Sequence, residues 1–305
     1  MSEDIAFNRS FDVPAGRVDQ VSPLVRRVVA PNPSPFTFTG TCSYIIGRGQ
    51  VAILDPGPDD PAHVAALLDA VRGEEVTDIV VTHTHRDHSP AAAAIQAATG
   101  ARTVGEGPHR AARPLAIGEV NPLDASADMA FRPDLVIPDG ETLAGRGWSL
   151  TGIATPGHCA NHMAFALAED DLVFSGDHVM AWATSIVAPP DGAMGDYIRS
   201  LEKLATRTER LYLPGHGGPV TDAPAFVRDY LDHRRAREAA ILRALDRDVE
   251  TIPDLVRGIY IGLDPRLVGA ASLTVLAHLE HLVASGRVVT DSEMAAMSGR
   301  FRRAA

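Results

Sequence analysis

Residues 82–89 read T-H-T-H-R-D-H-S and place His83, His85, Asp87 and His88 within six positions. Imidazole and carboxylate are the groups that hold borderline divalent cations such as zinc. A hydrophobic core has no use for four of them in one turn. Three further candidates stand downstream in short glycine-bearing segments: His158 in T-P-G-H, Asp177 in S-G-D-H and His216 in P-G-H-G. Seven ligands are more than one tetrahedral ion takes, so the count points to two zinc ions per chain. One partition gives His83, His85 and His158 to the first ion and Asp87, His88 and His216 to the second, leaving Asp177 as the bridge. Two ions roughly 3.5–4 Å apart can trap a hydroxide and stabilise attacking and leaving oxygens, so the chemistry expected is hydrolysis. Asp87, ligand and hydrogen-bond acceptor for that hydroxide, is the expected catalytic residue.

The elements that must position these groups follow from the pattern. Tyr44–Ile46 and Val51–Leu54 read as strands around a glycine turn, closing at Asp55-Pro56-Gly57. Pro61–Val71 has helical spacing, Asp78–Thr82 is a short buried strand, and Ser89–Thr99 is a helix with Ser89-Pro90 at its start. Strands return at Ser149–Thr155, Met163–Leu167 and Asp171–Phe174, a helix at Tyr197–Thr206, and another strand at R-L-Y-L-P. Strand ends thus deliver ligand-type residues four times, where α/β folds place their sites. The segment 105–138, rich in Pro, Gly and Asp, is expected to be a lid or substrate loop.

Of the other histidines, His63, His233, His278 and His281 fall on expected helices as surface or interface residues. His109 is a candidate substrate contact, and His162 and His178 are expected to orient ligands. Arg86, flanked by inward-pointing ligands, is expected to project outward into a salt bridge that props the loop, the alternative being the rim of the cleft, where it would pair with a substrate phosphate or carboxylate. Cys159, directly after His158, is either a small filler or a thiol able to reach the metal.

The tail holds three helices, Ala223–Asp246, Ile252–Tyr260 and Ala270–Ser285, and then G-R-V-V-T-D, a winged-helix-like pattern. From Arg235 onward ten arginines face nine acids, a net of +1, which does not suit sequence-specific reading of duplex DNA. A packing or homodimer surface is the plainer expectation. The 305-residue chain carries a formal charge of −11, unlike a surface built for long polyanions. Two cysteines form no disulfide framework. M-S-E-D-I-A-F-N has no apolar leader, and no uninterrupted apolar run reaches the roughly 20 residues of a membrane span. A cytoplasmic protein without membrane partners is therefore expected.

With H-T-H-R-D-H, T-P-G-H, S-G-D and P-G-H-G in this order, the chain resembles the metallo-β-lactamase fold superfamily over roughly its first 230 residues. The resemblance implies an αββα sandwich, residues 1–228, with the winged-helix-like unit at 229–305. It implies that His83, His85 and His158 hold one metal, that Asp87, His88 and His216 hold the other, and that Asp177 bridges them. A-P-P-D-G-A-M-G-D-Y-I-R-S-L-E-K-L and the tail resemble the lactamase-β-like protein 2 branch, which implies single-stranded RNA as a substrate. The alternative is a small thioester, ester or lactone, with Trp182, Met194 and Tyr197 lining an apolar pocket. A metal-binding regulatory protein is the non-enzymatic alternative. The 38 residues between Asp177 and His216 leave no room for the inserted domain of messenger-RNA-processing nucleases.

Overall fold

The computed structural model describes residues 5–115, 121, 124–292 and 294–304. Two mixed sheets lie face to face. The first holds β1 (Val18–Gln20), β2 (Val25–Val29), β3 (Cys42–Arg48), β4 (Gln50–Leu54), β5 (Glu75–Val80), β6 (Arg102–Gly105) and β7 (Leu135–Val136), in that order. Its first half is antiparallel, and from β4 onward the strands run parallel. Parallel neighbours need crossovers, supplied by α1 (Pro61–Ala70) between β4 and β5 and α2 (Ala91–Thr99) between β5 and β6. The second sheet orders β12 (Leu211–Pro214), β11 (Leu172–Gly176), β10 (Met163–Leu167), β9 (Trp148–Ala154) and β8 (Thr142–Gly145). Only its β11/β12 pair is parallel, with α3 (Met194–Leu204) in the crossover.

Alternation along each strand builds the layers. In β3, Tyr44 and Ile46 face the interior between the sheets while Ile45 faces α1 and α2. In β11, Leu172 and Phe174 enter the same interior and Val173 faces α3. The result is the expected αββα sandwich. α2 starts later than expected: Pro90 is its cap position, and Ser89 Oγ instead bonds Asp128 Oδ2 at 2.7 Å.

Beyond the sandwich come α4 (Ala223–Leu245), α5 (Ile252–Ile259), α6 (Val268–Ala284) and the hairpin β13 (Val288–Thr290)–β14 (Phe301–Arg303). α4 crosses residues 228/229 without a break. Val227, Tyr230 and Leu231 on its first half pack on the sandwich, and Ile241, Leu242 and Leu245 on its second half join the C-terminal core. The stretch Pro265–Ala284 has the length and mean hydropathy, 1.5, that could cross a membrane. Val275, Leu276, Leu279 and Leu282 are buried in the C-terminal core, the pattern of a packed core helix. His63 and His278, expected as surface or interface residues, are 1 % and 0 % exposed. His63 Nε2 lies 2.8 Å from Ser43 Oγ and His278 Nδ1 3.7 Å from Glu238 Oε1, partners on other elements that helical spacing alone did not reveal.

Candidate metal centre

The site lies along one edge of the sandwich, where β5, β11 and β12 end and the β9–β10 loop turns back. Main-chain bonds lock that edge: Met163 N donates to Thr82 O (2.8 Å), Cys42 N to Gly215 O (2.7 Å) and Gly215 N to Gly176 O (2.9 Å). All seven side chains singled out above meet there, in two groups able to hold a cation: His83, His85 and His158, and Asp87, His88, Asp177 and His216. In the first group His83 Nε2 and His158 Nε2 each lie 3.0 Å from His85 Nδ1. In the second, His88 Nε2 and His216 Nε2 are 3.3 Å apart, with Asp87 Oδ2 at 3.5 and 3.2 Å from them. Asp177 faces both groups. Its Oδ2 is 3.3 Å from His216 Nε2, 3.8 Å from His158 Nε2 and 4.0 Å from His83 Nε2, and its Oδ1 is 3.5 Å from His88 Nε2.

The outer ring nitrogens decide whether these inner atoms suit a metal. His158 Nδ1 donates to Ile186 O (2.6 Å), His216 Nδ1 to Gly40 O (3.3 Å) and His88 Nδ1 to Asp55 Oδ2 (3.0 Å). Thr82 Oγ1 gives its proton to Asp55 Oδ2 (2.8 Å) and so accepts from His83 Nδ1 (3.0 Å). Four imidazoles are thereby turned with Nδ1 engaged and Nε2 pointing inward, the orientation a cation requires when it replaces the inner protons. Asp177 Oδ1 and His85 Nε2 are buried without a protein hydrogen-bond partner. The donor set fits borderline divalent metal ions.

Electrostatics agree. Burial pushes His83 well below its usual pKa, and burial with His158 pushes His85 down to about 3, so these two rings are neutral. In the second, burial opposes charge, yet Asp177 and Asp87 hold His216 up at about 9, and Asp87 with Asp177 holds His88 well above normal. Burial likewise opposes both carboxylates, but His216 and His88 keep Asp177 well below its usual range, and His88 and His216 lower Asp87. Protons here do the neutralising that a cation would do.

Several neighbours differ from expectation. Arg86 is exposed, and its Nε donates to Ala127 O (3.2 Å) while its main-chain N–H donates to Ser126 O (2.8 Å). The prop is thus a pair of main-chain carbonyls, and among the described residues no acid pairs with Arg86. His109 does not face outward. It is buried between Thr84 Oγ1 (3.1 Å from Nδ1) and Asp191 Oδ2 (3.4 Å from Nε2). His162 orients a ligand as expected, its Nε2 accepting from Asp177 N at 3.1 Å. His178 acts through its carbonyl rather than its ring, accepting from Tyr197 OH (2.6 Å) and Ser185 Oγ (2.9 Å). Cys159 is fully buried and burial raises its thiol well above normal, so it is an inert filler. Tyr197 belongs to the core, and Met194, also in the core, borders a cavity of about 400 Å³ against α6 that includes none of the seven ligand-type residues. Trp182 stacks on Phe38, centroids 4.9 Å apart, and both rings press on Gly217 next to His216. Of residues 105–138, positions 116–120 and 122–123 lie outside the described residues, while Ala127 pairs with His85.

Asp55 escaped the sequence reading. It ends β4 in a left-handed conformation (φ 48°), and its Oδ1 also accepts from Thr82 N (2.7 Å). The one visible signal was an acid before Pro-Gly at a strand end.

A two-sheet sandwich whose edge gathers histidines and aspartates in two adjoining groups defines a metal-dependent hydrolase class. Residues 36–216 match the Metallo-beta-lactamase superfamily, and the chain belongs to that superfamily. Residues 251–296 match the Beta-lactamase associated winged helix domain. Similar proteins include the Beta-lactamase-like protein 2 homolog of Drosophila melanogaster, 28% identical, with 89% of this chain and 91% of the fly protein covered. Another is the Atrochrysone carboxyl ACP thioesterase of Aspergillus fumigatus, 28% identical over 78% of this chain and 70% of its own length. Among solved structures, a metallo-beta-lactamase family protein from Thermus thermophilus superposes with a TM-score of 0.73. It is 25% identical and covers 92% of this chain and 99% of its own.

Proposed function

We propose that this hydrolase cleaves an acyl thioester with two zinc ions per chain, one held by His83, His85 and His158, the other by Asp87, His88 and His216, with Asp177 shared. When bound, the ions supply an acidified water and neutralise charge that builds on the attacked carbonyl. Asp87, whose side chain is 27% exposed, would accept a hydrogen bond from the attacking water and orient it. The water oxygen bonds the carbonyl carbon, the C–S bond breaks, and the water's proton ends on the departing thiolate. A thiol leaves readily, since its ordinary pKa is roughly 8.5, so no dedicated acid is needed. The observation that carries the choice of substrate is the aromatic wall beside His216. Phe38 and Trp182 stack there, and Phe36 on the same loop is 50% exposed, a surface suited to an apolar acyl group. The similarity to an ACP thioesterase supports this reading. A single-stranded RNA substrate has weaker support: the charge is −11, and the wing arginines Arg300 and Arg302 are tied to Glu250.

The test sets a panel of aryl and short-chain acyl thioesters beside labelled single-stranded RNA, using zinc-loaded protein. Thioester cleavage without RNA cleavage is the expected result, and the reverse overturns the reading. Elemental analysis is expected to give close to two zinc per chain, whereas full activity with a single iron overturns the dinuclear assignment.

A further inference from the structure

Arg234 is a buried cation, 2 % exposed, and no carboxylate pairs with it among the described residues. It sits on α4, between the half that packs on the sandwich and the half that enters the C-terminal core. Its guanidinium lies 4.8 Å above the Tyr197 ring, and its Nη2 donates to Ser185 O. Ser185 in turn shares its one hydroxyl proton between Asp177 O and His178 O. The next carbonyl, Ile186 O, accepts from His158 Nδ1 at 2.6 Å. Tyr197 OH closes the ring of contacts on His178 O, and Tyr230 OH, also from α4, bonds Met180 N at 3.1 Å and accompanies the Met180 and Ala183 carbonyls. The loop 177–186 therefore carries the shared aspartate at one end and the carbonyl that orients His158 at the other. Its outer side is held by α4.

Burying a cation without a counter-ion opposes folding, and a methionine would fill similar volume without that cost. What arginine adds is a planar donor that satisfies a carbonyl while its face rests on an aromatic ring. We propose that Arg234 is a positioning residue for the metal centre: through Ser185 it fixes the loop 177–186, so that Asp177 and His158 keep their places and α4 is part of the site. This rests on reading the seven side chains as metal ligands.

The experiment follows zinc loss to a chelator, together with melting of the metal-free protein, for Arg234→Met, Arg234→Lys, Ser185→Ala and Tyr197→Phe. Arg234→Met is expected to lose zinc faster, by about tenfold when the affinity loss that missing outer partners commonly cause falls on the off-rate. Ser185→Ala and Tyr197→Phe move the same way by less, and Arg234→Lys recovers part of the loss. In thioester turnover kcat falls while KM holds. A folded Arg234→Met that keeps zinc as long as wild type overturns the proposal. So does a lower melting temperature with unchanged zinc loss, the signature of a purely structural role. If Arg234→Met does not fold, unchanged zinc retention in both Ser185→Ala and Tyr197→Phe overturns it. A wild-type protein that takes up no zinc defeats the ligand reading itself, and does so before any variant is compared.

Discussion

At the scale of single residues, Asp87 and Asp55 divide the work between chemistry and positioning. Asp87 is the partly exposed carboxylate of the second group, 3.2 Å from His216 and 3.5 Å from His88. Asp87→Ala is expected to lower hydrolysis by orders of magnitude while unfolding stays cooperative, because no core packing depends on it. Retained turnover would remove the two-metal mechanism. Asp55 is a different case. Both its oxygens only accept, from Thr82 N, Thr82 Oγ1 and His88 Nδ1. In Asp55→Asn one oxygen becomes an NH2, which must then face another donor whichever way the amide turns. Metal affinity is expected to fall roughly 10–100-fold, read by chelator competition; an unchanged affinity would show that the tautomers of His83 and His88 are set elsewhere. The seven converging residues were readable in the sequence because ligand types are chemically rare and clustered. Asp55 was not, since an acid at a strand end looks the same whether it faces water or an imidazole.

At the scale of elements, apolar runs bounded by turn residues marked the individual strands and helices, while their arrangement as a sandwich was legible only through the resemblance carried by the ligand motifs. Contacts that depend on close approach leave no such mark. Gly215 follows β12, and a Cβ there would stand 2.5 Å from Asp177 Oδ1 and 2.6 Å from His88 Cε1. Its backbone is pinned on both sides by Cys42 and Gly176, so it cannot retreat. Gly215→Ala is expected to displace the second group of ligands, at a cost of about 1–3 kcal/mol of overpacking, and to leave the inner core intact. Against the two metals per chain proposed above, elemental analysis of this variant should fall toward one. Two retained metals with wild-type stability would mean that the edge yields more easily than its hydrogen bonds suggest. The pairing of His109 with Asp191 and the carbonyl prop under Arg86 were hidden for the same reason: sequence spacing does not say which distant loop folds back onto a side chain.

At the scale of the whole molecule, α4 joins two cores, and buried neutral histidines link its stability to acidity. Burial lowers His63 to about 4 and His278 to about 4, the latter despite Glu238 nearby. Unfolded, both would titrate near 6.5. As pH falls through 6.5 the unfolded chain takes up these protons first, so stability present above 6.5 is lost progressively down to about 4 and then levels off. Each histidine contributes up to about 1.4 kcal/mol per pH unit inside that window. The ligand histidines titrate as well, so the clean measurement is a difference. Urea unfolding of metal-free wild type, His63→Gln and His278→Leu is compared at pH 7.5, 6.5 and 5.5. Replacing either histidine should flatten the decline between 6.5 and 5.5 by up to that amount, and leave the change between 7.5 and 6.5 much smaller. A His278→Leu protein whose stability falls as steeply as wild type would mean that His278 takes up its proton inside the folded C-terminal core. The Glu238 carboxylate, 3.7 Å from His278 Nδ1, would then outweigh burial at the place where α4 and α6 meet.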